Sequence, residues 1–309
     1  MGLYSVYVAN SLANTVSVCA ISSTGQKKVA AMIPVGKYPR CIALSANGSF
    51  AAVTNYKSDS VSIIRTTTNK VVFEITAIPS PSGIAFGKTQ QWERLYVASS
   101  LDQGVIYVFN PQNYQIVAQI PVGKTPAWVT ISSDSQFVYV TNFNSNTVSI
   151  IDTGLNAVVN TVPVCFHPGQ IAASSSGKVY LVPQCMNLNF QWIVQVFDLT
   201  ANAVTEIPLN GIILLAVTVN PQGTAAYVTD FTAGVGSVTA IDTMTGNLSS
   251  SLKIGVWPKG GAFSPDGNYC FFSDYSLNSL IVVDTQKFSV FTKLNLGAGS
   301  GPFGVAVRN

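Results

Sequence analysis

The chain has 309 residues, with 16 Lys or Arg, 13 Asp or Glu and one His, a net charge of +3. That charge is too small for the basic stripe of a dedicated nucleic-acid binder. Charged residues are only 9% of the chain, against roughly 25% in an average soluble domain. Yet no apolar run approaches the ~20 residues a spanning helix needs, so the composition excludes a helical membrane protein. It fits a surface dressed in Ser, Thr, Asn and Gln.

Strand pattern starts by Tyr4, with no charged leader and no apolar h-region before it. The expected compartment is therefore the cytoplasm, or the exterior for a mature form whose leader has been removed. A four-residue phrase then recurs. It reads Tyr7-Val8-Ala9-Asn10, Ala52-Val53-Thr54-Asn55, Tyr96-Val97-Ala98-Ser99, Tyr139-Val140-Thr141-Asn142, Tyr180-Leu181-Val182-Pro183, Tyr227-Val228-Thr229-Asp230 and Phe271-Phe272-Ser273-Asp274. The phrases end 45, 44, 43, 41, 47 and 44 residues apart, and the two chain ends together make a seventh interval of 45. A fixed period of this length signals repeated supersecondary units.

Within one period the strands can be read directly. Thr125 to Ile131 is a strand, followed by the turn Ser132-Ser133-Asp134-Ser135. Phe137 to Asn142, Thr147 to Asp152 and Ala157 to Val164 are three more, separated by Asn, Ser and Gly turns. No window sustains a helical period. Four short antiparallel strands per unit is the arithmetic of a propeller blade. The expected fold is all-β: a seven-bladed β-propeller, one domain over residues 1–309. The chain opens on a second-strand phrase, and the missing first strand appears at the far end as Gly304-Val305-Ala306-Val307. The ring should therefore close by a C-terminal strand completing the N-terminal blade.

These phrases, with Asn146-Thr147-Val148-Ser149-Ile150-Ile151-Asp152-Thr153, Ile33-Pro34-Val35-Gly36, Ile120-Pro121-Val122-Gly123 and Ser264-Pro265-Asp266-Gly267, resemble the YVTN-repeat β-propeller family along the whole chain. The resemblance implies the fold, and relatives among surface-layer and secreted proteins. More distant propellers that look similar include lactonases of the sugar-phosphate type and a lyase that opens cyclic peptide antibiotics. None of their catalytic motifs is matched, so no catalytic residue carries over.

The repeat serves as a filter for function. Asp152, Asp198, Asp242 and Asp284 end third strands, and Asp134 and Asp266 sit in the turn between first and second strands. All six read as turn caps. Asp230 and Asp274 differ, because they stand where the phrase has Asn and each precedes an aromatic, Phe231 or Tyr275. Tyr56 and Phe143 hold the same place after Asn55 and Asn142. Blade topology brings these loops to one face with the connections between blades, which supply Tyr38, Arg40, Trp128, His167, Gln170, Trp257, Lys259 and Phe303. An aromatic wall with a few polar groups at a channel mouth is a binding-site pattern, although such rings also serve to plug the channel.

The largest irregularity is the widened loop from Pro183 to Trp192, which adds Phe190 and Trp192 to the candidates. Cys165, His167 and Cys185 fall on the same face of that blade. A disulfide, a Cys–His nucleophile pair, a zinc site short of a ligand and mere neighbours all remain open, with mere neighbours favoured. Five cysteines is an odd number, so at least one thiol is free within the expected monomer. Cys19, Cys41 and Cys270 read as buried strand residues.

Two functions compete. One is a binding propeller that recognises a small molecule, glycan or peptide at the mouth, with no cofactor or metal. The other is a lyase, isomerase or lactonase with His167 as acid/base, Asp230 or Asp274 as its carboxylate partner, and Arg40 or Lys259 stabilising an anion. A third reading, single strands stacked beside Lys37, Lys57, Lys124 and Lys259, is limited by the low net charge.

Overall fold

The structure is a computed structural model that describes residues 3–89, 91–187, 189–198, 203–209 and 213–309. Among the described residues there are 28 strands and no helix, arranged as seven four-stranded antiparallel sheets. Blade 1 runs β28 (Pro302–Arg308), β1 (Leu3–Asn10), β2 (Thr15–Ser22) and β3 (Lys27–Pro34) from the axis outward. The other blades follow in chain order. Their inner strands are β4 (Pro39–Leu44), β8 (Pro81–Lys88), β12 (Pro126–Ile131), β16 (Pro168–Ala173), β20 (Ile213–Val219) and β24 (Pro258–Phe263).

The closure expected from the sequence is present. Ser5 pairs with Arg308, Val6 with Val307, Tyr7 with Ala306 and Val8 with Val305. Arg308 also reaches into blade 2, where its Nη1 donates to Gly48 O and Thr66 Oγ1, both at 2.8 Å. The seven inner strands meet in ring order, β28 against β4 and β24 against β28 completing the circle.

The core is divided among the blade interfaces. One apolar cluster fills each gap, as with Tyr7, Val16, Ile42 and Val53 between blades 1 and 2, or Phe271, Val282, Val6 and Val8 between blades 7 and 1. The recurring phrase is explained position by position. Its first residue is an interface plug: Tyr96, Tyr139, Tyr180 and Tyr227 are buried, which pushes their phenols up to about 12. Its second, such as Val140, is fully buried.

Where the third residue of the phrase carries a hydroxyl, it is a fastener. Thr54 Oγ1 accepts from Cys41 N at 3.0 Å and donates to Ser82 O of the next blade at 2.8 Å. Ser273 Oγ accepts from Gly260 N and donates to Phe303 O in the same way. The fourth residue ties the loop that follows. Asn142 Nδ2 donates to Thr147 Oγ1 at 3.0 Å and Ser149 Oγ at 2.9 Å, and Asn10 and Asn55 do likewise in their blades. A polar pair buried beside such a strand end is cheap only when bonded.

The carboxylates of Asp134, Asp152, Asp242, Asp266 and Asp284 behave as turn caps, while the turn after Asp198 lies outside the described residues. Asp152, Asp242 and Asp284 each accept two backbone N–H bonds from the turn that follows. Asp266 does more, because Tyr4 Oη donates to it at 2.6 Å and links blade 7 to blade 1.

Near the axis, two glycines are required by close approach. A Cβ on Gly260 would stand 2.3 Å from Phe303 O, and one on Gly304 would stand 2.6 Å from Arg40 O. Backbone therefore packs on backbone, and the channel narrows to a cavity of about 130 Å³ lined in part by Cys41, Trp128, Gln170 and Val305. That is room for a few waters, at roughly 30 Å³ each.

Candidate functional site

The connections between blades and the loops after each phrase share one face because first and second strands are antiparallel. Pro39 pairs with Asn55, Pro126 with Asn142 and Pro258 with Asp274. At four of these connections the residue before the proline adopts a left-handed conformation: Tyr38 at φ 55°, Ser80 at 44°, Thr125 at 53° and His167 at 50°; Trp257 before Pro258 does not. This backbone is disfavoured before proline. A latch holds it at several blades, where an Asn or Asp of the preceding blade accepts the N–H, as Asn14 does for Tyr38 and Asn146 for His167, both at 2.9 Å.

Half of the face forms a continuous aromatic and cationic band. Trp128 stacks on Phe303, with centroids 6.0 Å apart and planes at 14°. Arg40 lies 5.7 Å from the Phe303 centroid and 5.6 Å from that of Tyr56. Lys259 lies 5.9 Å from Phe303 and 4.9 Å from Trp257. Trp257 in turn meets Phe231 at 4.4 Å, and Tyr56 meets Tyr38 at 6.3 Å. Lys57 caps the end, 4.7 Å over Tyr38. Below the band, Gln170 lines the channel and its Oε1 accepts from Val217 N at 3.1 Å.

The electrostatics of the band are one-sided. Among the described residues the one salt bridge is Lys287 with Asp284, so neither Arg40 nor Lys259 has a carboxylate partner. Burial, with a further push from the charge of Arg40, brings Lys259 down to about 8. The nearest carboxylate on the neighbouring strand is Asp274, which is fully buried. It accepts from the backbone N–H groups of Val256, Trp257, Ser276 and Leu277 at 2.6, 3.2, 3.1 and 3.0 Å. Those bonds occupy it as an anchor for the Trp257 loop.

The other predicted residues lie outside this band. His167 is exposed and stacks face to face on Phe143, 4.4 Å between centroids. Asp230 is buried on the flank of blade 6, where Thr232 Oγ1 donates to it at 3.3 Å and burial raises its pKa. It lines a cleft of about 520 Å³ with Ser237, Thr239 and Lys253. No contact joins His167 to Asp230 or Asp274. Phe190 is 86% exposed at a turn, and Trp192 packs half-buried on the core between blades 5 and 6. Tyr275 is half-buried, its N–H bonded to Trp257 O at 3.0 Å. Clefts of about 550 and 510 Å³ also lie off the axis, between blades on the opposite face. Volume favours these furrows, and the 550 Å³ cleft also holds a stacked pair, Phe73 on Tyr114, beside Arg65; the band near the axis is distinguished by two half-buried cations that flank one ring.

Cys165 and Cys185 form a disulfide, with Cα atoms 6.1 Å apart. This corrects the sequence reading that favoured mere neighbours. The widened loop folds back so that Met186 bridges to Trp192, which sets Cys185 against the connection carrying Cys165. The sulfurs bond each other, leaving no thiolate for a Cys–His pair or a zinc site. Leu188 in that loop, and residues 210–212 of the connection into blade 6, lie outside the described residues. Lys57, which the sequence reading set beside stacked rings only in its single-strand alternative, lies over Tyr38 at the end of the band.

Known proteins agree on the architecture. A seven-bladed β-propeller protein of Mycobacterium tuberculosis, Rv1057, is 30% identical over 131 residues, which is 41% of this chain. The match covers 33% of that protein, so the chain spans about a third of the curated relative it matches. The periplasmic gluconolactonase PpgL of Pseudomonas aeruginosa superposes with a TM-score of 0.78 at 15% identity, covering 99% of both chains. Hydrazine synthase of Kuenenia stuttgartiensis gives 0.73 at 19% identity over 84% of this chain and 87% of its own. At these identities the two structures carry the fold alone. The sequence itself matches the YNCE-like beta-propeller family over residues 2–308, and the chain belongs to that family.

Proposed function

We propose that this propeller is a binding protein whose channel mouth holds a small ring-bearing ligand, a saccharide being the best fit. The observation that carries this reading is the band itself. Trp128 and Phe303 stack near the axis, with Tyr56 and Trp257 on either side and the polar heads of Arg40, Lys259 and Gln170 among them. Aromatic faces take up the apolar side of a sugar ring, and the few polar groups fix its orientation. The channel beneath is too narrow for a hexose, so the ligand rests at the mouth. The Cys165–Cys185 disulfide supports an oxidising compartment, where free sugars and glycans are met.

The test is tryptophan fluorescence and thermal shift against a saccharide panel, with W128A and F303A beside the wild type. Saturable quenching that both variants abolish is the expected result. A panel that leaves fluorescence and melting unchanged would remove the reading.

A second reading, opening of a sugar lactone at the same mouth, has one observation in its favour. Lys259, at about 8, is the group of the band poised for proton transfer near neutral pH. Acid release from gluconolactone by the wild type but not by K259M would establish it. Equal rates in both would exclude it.

A further inference from the structure

We infer that the ligand of this mouth carries an oxyanion, a carboxylate or a phosphate ester, gripped between Arg40 and Lys259 while its ring lies against Phe303. The inference rests on the proposed binding reading and specifies its substrate class.

The argument is one of missing charge. Arg40 and Lys259 come from blades 2 and 7 and flank the same ring, at 5.7 and 5.9 Å from its centroid. Both are half-buried. Removing a cation from water is costly unless an opposite charge comes with it, and a like charge nearby adds to the cost. The rings around them recover part of that cost as cation–π attraction. Among the described residues no Asp or Glu completes the pair with a salt bridge. Asp274, one strand away, is held by four backbone N–H groups. A fold needing cations only for stacking could place them at the rim, as it does with the exposed Lys57. Two cations converging on one ring, from opposite sides of the closure blade, form a fork that an oxyanion completes. The amide nitrogen of Gln170, whose oxygen is already used, is a further donor below.

The depressed pKa of Lys259 agrees with this geometry. An incoming anion favours the charged form, so binding takes up a proton, and affinity should fall as pH rises through about 8. The groups around Lys259 that could confuse this profile are Arg40, Tyr56, Asp274 and Cys41. Arginine keeps its charge throughout. Burial pushes the Cys41 thiol up to about 12. Asp274 is occupied as above, and Y56F removes the phenol as a control.

The experiment is calorimetric titration of the full chain with glucose, glucuronate, glucose 6-phosphate and inorganic phosphate, in low and high salt, from pH 6.5 to 9. Wild type, R40A, K259M, K259R and the W128A/F303A pair are compared, each first shown to melt as the wild type does. The expected result is that an anionic sugar binds at least about tenfold more tightly than glucose, and that R40A or K259M removes most of that margin. K259R should keep the margin and lose the fall above pH 8, because its charge persists. Glucuronate against glucose 6-phosphate then identifies which oxyanion the fork prefers. If glucose and the acids bind equally and K259M changes neither, the oxyanion inference falls while the binding reading stands. If inorganic phosphate binds through Arg40 and Lys259 but rings add nothing and W128A/F303A is silent, the inference stands and the ring reading falls. If no probe binds, both fall. A single-stranded oligonucleotide that binds more tightly than every monoanion, with a steep salt dependence, would overturn the small-ligand class altogether.

Discussion

The two halves of the mouth face were built in different ways. In blades 7, 1 and 2 the loops after each phrase keep their repeat lengths, only the connection from Gly297 to Pro302 running two residues longer than that from Gly36 to Pro39, and novelty lies mainly in single side chains: Lys259, Phe303, Arg40 and Tyr56. In blade 5 the backbone itself departs from the repeat, and its widened loop is stapled by Cys165–Cys185 to the connection from blade 4, beside an exposed His167 on Phe143. The first half concentrates unpaired charge near the axis, and the second spends its irregularity on covalent order. A widened loop is a common place to look for function. Here the regular half holds the stronger candidate, since a repeat position filled by a residue with no scaffold task leaves that residue available to a ligand.

The most severe way to break this comparison is to delete residues 304–309. That removes the inner strand of blade 1, with the partners of Ser5, Val6, Tyr7 and Val8. Losing the packing of Val305, Ala306 and Val307 should cost roughly 5 kcal/mol or more. Hydrogen exchange should show blades 7, 1 and 2 losing protection before blades 4 and 5. An unchanged melting curve would refute the closure. Replacing both Cys165 and Cys185 by Ser comes next. The bridge spans 20 residues, so removal should cost about 3 kcal/mol. Denaturant melts measure the loss, and binding at Arg40 and Lys259 should survive in a refolded sample. Loss of binding would mean that the halves are coupled.

S273A is a finer cut. It deletes the hydroxyl that accepts from Gly260 N and donates to Phe303 O. We expect about 1–2 kcal/mol and a change in the Trp128 emission as Phe303 shifts. The pH dependence of Lys259 is smaller still. The unfolded chain holds this proton to about 10.4, whereas the folded chain releases it near 8. Between those values the unfolded state binds more protons, so stability rises with pH. Relative to K259M, the wild type should gain about 1 kcal/mol between pH 8 and 10, after allowance for solvent screening at the mouth. A flat difference would place Lys259 in water. H167A is the smallest, within about 0.5 kcal/mol, as for other exposed positions. A large drop would make the second half more than a stapled rim.

The propeller was legible in the sequence because the phrase positions carry physical tasks that recur in most blades. Tyr139 plugs an interface, Thr54 fastens the next blade and Asn142 ties a loop, so period and residue type agree. Arg40, Lys259 and Phe303 were legible for the complementary reason, since their distance from a proline puts them at the axis. The catalytic grouping of His167, Asp230 and Asp274 was less so. An Asp in place of Asn looks like chemistry in one dimension, but two of the four donors that surround Asp274 come from a loop 17 and 18 residues earlier. The disulfide was hidden because it depends on how the Pro183–Trp192 loop doubles back, and no repeat position specifies that path.

The antiparallel pairing of β1 with β28 also sets how the ring responds to force. Leu3 and Arg308 lie at the same end of their hydrogen-bonded strands, since Ser5 already faces Arg308. A pull applied at both ends therefore loads one ladder bond at a time and peels the strands apart like a zipper. Were the strands parallel, all the bonds would share the load in shear. The closed ring should open under modest tension at this seam, leaving β1 as the new inner edge of blade 1.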